Sequence, residues 1–205
     1  MTTFTKVRRR VALLAVLATT LSGFVATQPA AADPIFPIDW TVDAQTHLNS
    51  LDLDVEVTGG SFVGQVDLGT GDITGDITLP QAETQLQLIG LPLANVAFAV
   101  TPVGPATGHV DLTTLTASLT STFDIRVPYV RPLGLPFLNL VGKRCQTATP
   151  ITLTLSGPVD LTGGSTFSGT FAVPQFKNCA LATTALNLVV PGDGNTFTAT
   201  ARPPA

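Results

Sequence analysis

Between residues 51 and 57 apolar and polar side chains alternate without a break. Leu51, Leu53, Val55 and Val57 are separated by Asp52, Asp54 and Glu56. A period of two puts one set on each face of an extended strand, whereas a helix needs a period near 3.6. The same alternation returns in residues 66–68, 72–79, 115–127, 151–155, 165–173 and 196–200. Gly, Pro, Asn and Asp punctuate the runs, and the abundant threonine suits a half-solvated pleated surface. Residues 180–190 have the length of a helix, but Thr183-Thr184 and Pro191-Gly192 leave a strand equally open. The chain reads as all-β.

A recurring pattern organises the strands. Gly64-Gln65-Val66-Asp67-Leu68, Gly108-His109-Val110-Asp111-Leu112 and Gly157-Pro158-Val159-Asp160-Leu161 share G-x-V-D-L at spacings of 44 and 49 residues. Two of these copies agree again further on, where Gly90-Leu91-Pro92 matches Gly134-Leu135-Pro136 at the same offset. Leu138-Asn139-Leu140-Val141 is echoed by Leu186-Asn187-Leu188-Val189. Each internal unit of about 45 residues reads as strand, glycine turn, strand, proline bend and apolar strand. Asp67, Asp111 and Asp160 are expected to close or flank turns through side-chain to backbone hydrogen bonds. The long lead-in at residues 33–60 and the uneven spacings favour a two-sheet, Greek-key-like β-sandwich. A β-trefoil, a β-prism and a closed β-barrel remain the competing architectures.

Residues 1–32 read as a secretory signal and residues 33–205 as one domain. Lys6 and Arg8-Arg9-Arg10 precede a short apolar run at residues 11–21, and Ala30-Ala31-Ala32 offers a cleavage site before Asp33. An apolar run of about eleven residues is too short to span a bilayer, which needs about 20. The arginine cluster leaves the general and the twin-arginine export routes both open. No cysteine stands at the cleavage site, and no later apolar run reaches spanning length, so the expectation is a secreted or cell-envelope protein free of the membrane. Cys145 and Cys179 are the only cysteines, and oxidising conditions outside the cell would pair them.

Beyond the leader, six basic residues face fourteen acidic ones, a charge of −8. Residues 33–124 hold twelve carboxylates and no Lys or Arg; residues 125–205 hold the six cations against Asp160 and Asp193. Such an acidic chain repels phosphate backbones, which argues against nucleic acid as a partner. The asymmetry fits attraction between the halves or a solubilising acidic face; a cation-binding or envelope-binding face is the alternative.

The C-terminal third carries a resemblance. Cys145-Gln146-Thr147-Ala148-Thr149-Pro150-Ile151 is followed by Thr166-Phe167-Ser168-Gly169-Thr170-Phe171-Ala172-Val173-Pro174, then Phe176-Lys177-Asn178-Cys179 and Gly192-Asp193-Gly194-Asn195-Thr196-Phe197-Thr198. With residues 66–75 and 90–92, these segments resemble an uncharacterised family of small secreted actinobacterial β-rich proteins. The resemblance implies export, a β-rich fold and a disulfide, and no activity. Where such relatives have Cys-Gly, this chain has Cys179-Ala180, a departure at that turn.

Catalytic patterns are sparse. No serine sits in a G-x-S-x-G elbow: Ser61 and Ser165 each follow a Gly-Gly pair, and His47 and His109 are the only candidate bases. Asp52, Asp54 and Glu56 share one strand face at roughly 6.5–7 Å intervals. That spacing would serve a glycosidase or a Ca²⁺ site, but alternation on a solvated strand produces it unaided. Trp40 and Tyr129 are the only Trp and Tyr to offer a sugar a platform, and the two histidines and two cysteines lack zinc-ligand spacing. No cofactor is implied. The first expectation is a non-enzymatic protein with a binding or structural role, its partner unknown. The second is a carrier of an apolar, lipid-like ligand, with Leu91, Leu93, Phe98, Leu135 and Phe137 as cavity wall; a filled core would count against it and a hollow one for it. An unrecognised hydrolase comes third.

Overall fold

The first strand sets the geometry for the rest. In β1 (Ile35–Leu48), Ile38, Trp40, Val42, Ala44 and Leu48 are buried while Asp39, Thr41 and Gln45 face solvent. A computed structural model describes residues 34–88, 91–133, 135, 137–160 and 164–204; the expected leader lies outside the described residues. A tight 3-10 turn (Asn49–Leu51) leads to β2 (Leu53–Asp67), then β3 (Asp72–Thr78), β4 (Ala82–Leu88), β5 (Leu91–Pro102), β6 (Ala106–Asp111) and β7 (Thr116–Pro132). Next come β8 (Gln146–Thr147), β9 (Ile151–Pro158), β10 (Ser165–Val173) and β11 (Phe176–Lys177). A 3-10 turn (Ala180–Ala182) runs into α1 (Thr183–Val189), and β12 (Gly192–Arg202) ends the fold.

Eight strands close into an antiparallel barrel in the order β1, β2, β3, β6, β7, β9, β10, β12, with β12 returning to β1. Spatial order follows chain order, so this is an up-and-down barrel with inserts. Of the architectures the sequence leaves open, the chain builds the closed barrel. The seventeen-residue β7 makes closure possible. Its first half pairs with β6 on one side and with β9 on the other, from Thr116↔Pro158 to Phe123↔Ile151; its second half carries β5 and β8. Full closure leaves no edge strand in the barrel to template aggregation. The outward positions are mostly Thr, Ser, Asp and Gln, with Val63 an exposed exception, and the inward ones are mostly apolar, the inverse of the pattern of a membrane-spanning barrel. No described helix is long and apolar enough to cross a membrane.

The three G-x-V-D-L segments lie at one end of this barrel. The described residues of each lie at and just beyond the close of the first strand of a hairpin: β2–β3, β6–β7 and β9–β10. Val66 and Val110 point inward and are buried. At Gly64, Gly108 and Gly157 a Cβ would run into a carbonyl oxygen across the ladder (Thr74, Ser118 and Thr166), so glycine permits the close strand approach there. Asp67 Oδ1 accepts from the N–H groups of Gly69 (2.8 Å) and Thr70 (3.2 Å), and Asp111 Oδ1 from those of Thr113 (2.8 Å) and Thr114 (3.2 Å). The third turn is tied by Ser165, whose Oγ accepts from Asp160 N–H at 2.8 Å.

The opposite end is capped by the inserts. Val127, Val130, Val141, Phe176, Leu186 and Val190 pack there around the Cys145–Cys179 disulfide. Polar side chains satisfy the irregular backbone. Asn139 accepts from Val130 and Val141 N–H and donates to Pro128 O; Asn187 accepts from Phe176 N–H at 2.6 Å and donates to Phe176 O at 2.9 Å. These asparagines are the two that the echoed Leu-Asn-Leu segments share, and each acts as a short artificial strand. Their surroundings differ: residues 137–141 are irregular, residues 186–189 are helical, and the Leu91–Asn95 segment is a strand. The helix settles the ambiguity at residues 180–190, ending before Pro191, which cannot continue it.

Candidate functional site: an apolar cavity in the barrel

Eight-stranded barrels enclose a lumen that side chains can just fill or that can hold one small ligand. This lumen is not filled. Small inward residues on facing strands (Ala117 on β7, Ala199 and Ala201 on β12) leave a cavity of about 310 Å³, with Trp40, Phe62, Val66, Ile73, Val110 and Phe167 among its wall. Among the described residues the wall holds no charged side chain; Thr46 and Ser121 bring hydroxyls to it and Trp40 an indole N–H.

The two ends of the cavity differ. Val173, Phe176 and Val190 form a floor almost sealed from solvent. At the hairpin end Phe36, Leu68, Leu112 and Leu115 line the cavity and are also exposed, Leu115 by 52%. The leucine of G-x-V-D-L is thus a rim residue in the first two segments, while Leu161 lies outside the described residues. The lining also surfaces at Pro80 and Pro102, where β3 runs on past its last pair with β6, Gly75↔Ala106.

The Asp111 carboxyl stands at a rim turn. The hydroxyl of Thr113, then the N–H groups of Thr113 and Thr114, hold the Asp111 carboxyl well below the usual carboxylate range. On the capped side, desolvation first and the Glu83 carboxylate second push the Tyr129 hydroxyl up, while Arg131, whose guanidinium lies 4.0 Å from the Tyr129 ring centre, opposes them.

Among the five residues expected to line a cavity, Phe98 does so. Leu93, Leu135 and Phe137 lie on the outside, Phe137 84% exposed, and the Leu91 side chain is outside the described set. The reason is positional. Residues 91–97 pair with β4 and with the last residues of β7, beyond the barrel, and only from Phe98 onward does β5 border the lumen. Most of the wall comes instead from alternate residues of the eight barrel strands, with Ala82 of β4, Phe98 and Val100 of β5 and Phe176 of β11 among the rest.

The other candidate groups lie outside the lumen. His47 Nδ1 is 2.9 Å from Asp54 Oδ1 across the β1–β2 ladder, and His109 Nδ1 is 3.6 Å from Asp72. Asp54 and Glu56 face solvent as the alternation requires, with Val55 buried behind them. Among the described residues no three His, Cys, Asp or Glu side chains converge as metal ligands. The acidic and basic portions of the chain meet where Arg202 Nη1 reaches Asp43 Oδ2 at 3.2 Å. No protein-family model, no curated protein and no solved structure matches this chain.

Proposed function

We propose that the protein is an exported carrier that holds one apolar small molecule inside its barrel and acts by binding rather than turnover. The cavity of about 310 Å³, walled by apolar side chains within a polar exterior, supports this reading above all. A ligand pocket is expected to be concave, mainly apolar and of about 300 Å³ or more. At interior packing density the space suits a hydrocarbon of roughly ten to fourteen carbons. The basic and apolar leader at residues 1–32 and the Cys145–Cys179 bridge support action outside the cytoplasm.

Native mass spectrometry of the oxidised protein, gently purified from an exporting bacterial host, tests the proposal. The expected spectrum carries a small-molecule adduct that organic solvent releases, or gains one N-phenyl-1-naphthylamine per chain when that apolar probe is added. An apo mass that stays unchanged with the probe would overturn it.

A further inference from the structure

Among the described residues two hydroxyls belong to the cavity wall, and they are not equivalent. Thr46 Oγ1 donates to the Thr196 carbonyl at 2.8 Å. Ser121 lies on β7 between the wall residues Leu119 and Phe123, opposite Leu153 of β9, and its hydroxyl has no hydrogen-bond partner among the described residues. No unpartnered side-chain oxygen is sealed inside the described protein, so this hydroxyl opens onto the lumen. A hydroxyl set in an apolar wall forgoes the bonds it would make in water unless something in the cavity answers it. The inward neighbours along β7 and β9 show that an apolar residue suits this surface.

We propose that Ser121 is the hydroxyl of the wall that bonds the ligand's polar group. The ligand is then an uncharged hydrocarbon bearing a hydroxyl or a carbonyl, a class that includes long-chain or polycyclic alcohols and ketones. A serine hydroxyl donates and accepts, so either group fits. A carboxylate or ammonium would be stripped of water against a wall whose described residues carry no charge, which disfavours ionised ligands. A plain hydrocarbon would leave Ser121 unanswered. This assignment rests on the carrier reading and names its ligand class.

The test is displacement of bound N-phenyl-1-naphthylamine by cyclododecane, cyclododecanol and cyclododecanone, twelve-carbon rings with no separate head and tail. It is run on the oxidised wild type, Ser121→Ala and Ser121→Thr. Comparing the same compounds on different variants cancels their differences in hydration. The alcohol-to-hydrocarbon affinity ratio should fall roughly three- to tenfold in Ser121→Ala, the net worth of a neutral hydrogen bond, and persist in Ser121→Thr. An unchanged ratio in Ser121→Ala, with all rings still binding, overturns the role of Ser121 and leaves the carrier reading standing. Failure of every ring to displace the probe overturns both.

Discussion

At the capped end Val127, Cys145 and Cys179 are all but sealed from solvent, while at the hairpin end Leu68, Leu112 and Leu115 stand half exposed around a hollow. Both regions are rich in aliphatic side chains, so hydrophobicity does not separate them. Geometry does. Barrel strands are held at ladder spacing around a closed ring, and their inward side chains cannot move closer to fill the centre. The cap is made of inserts free to settle on one another, with a disulfide and two asparagines, Asn139 and Asn187, fixing the irregular segments. One region is built to be solid; the other keeps a space.

The largest effect should follow from removing the staple. Closing a loop of 34 residues contributes about 3–4 kcal/mol by chain entropy. Cys145→Ser with Cys179→Ser should lower stability by about that much. Hydrogen exchange should rise first in α1 and β11, with the β2–β3 hairpin staying protected. Uniform loss of protection would show that cap and barrel are one cooperative unit and would weaken the contrast.

Enlarging an alanine in each region addresses the difference itself. Ala182→Leu in the packed cap should cost about 1–3 kcal/mol, the usual penalty for overfilling. Ala199→Leu borders the cavity and should be close to neutral or stabilising, read by thermal or denaturant unfolding. Equal costs at both sites would mean that the lumen is as full as the cap.

A smaller gain is expected where the backbone is strained. Ala180 has φ +50°, in the left-handed region that glycine tolerates and alanine does not favour. Ala180→Gly should stabilise the cap by about 1 kcal/mol, raising Tm by about 2–4 °C. No shift would show that the turn has other support.

The smallest effect belongs to the rim. The folded Asp111 carboxyl is held below its unfolded value by Thr113 and Thr114, so its stabilisation is present above about pH 4 and is lost as pH falls. Asn keeps the turn's acceptor without the charge. The Tm gap between wild type and Asp111→Asn should therefore close on acidification; a gap independent of pH would contradict the ionised-carboxylate account.

Much of the barrel is legible in the sequence because period-two alternation reports directly on strands with one buried face. β1 shows the same alternation from Ile38 to Leu48, but Pro34 and Pro37 and the absence of a preceding turn signal make it read as a lead-in. The helix at residues 183–189 is ambiguous because its paired threonines favour neither state strongly. Closure is not written locally: it depends on β7 being long enough to serve four partners and on cross-strand contacts at Gly64, Gly108 and Gly157. The site is harder still. Contiguous apolar segments attract attention, yet residues 91–97, 135 and 137–141 build the cap and its surface. The lumen is lined mostly by residues scattered two apart over the eight barrel strands, and its emptiness depends on a radius that no single strand encodes.

The most direct measurement uses the chain's one tryptophan. Trp40 is 8% exposed and lines the cavity, so its emission reports on the lumen without labelling. Titration of the oxidised protein with N-phenyl-1-naphthylamine should quench Trp40 by energy transfer, saturate at one probe per chain, and weaken in Ala199→Leu, which takes up part of the space. Trp40 emission that does not respond, or a response that Ala199→Leu leaves untouched, would contradict a hollow, ligand-binding barrel.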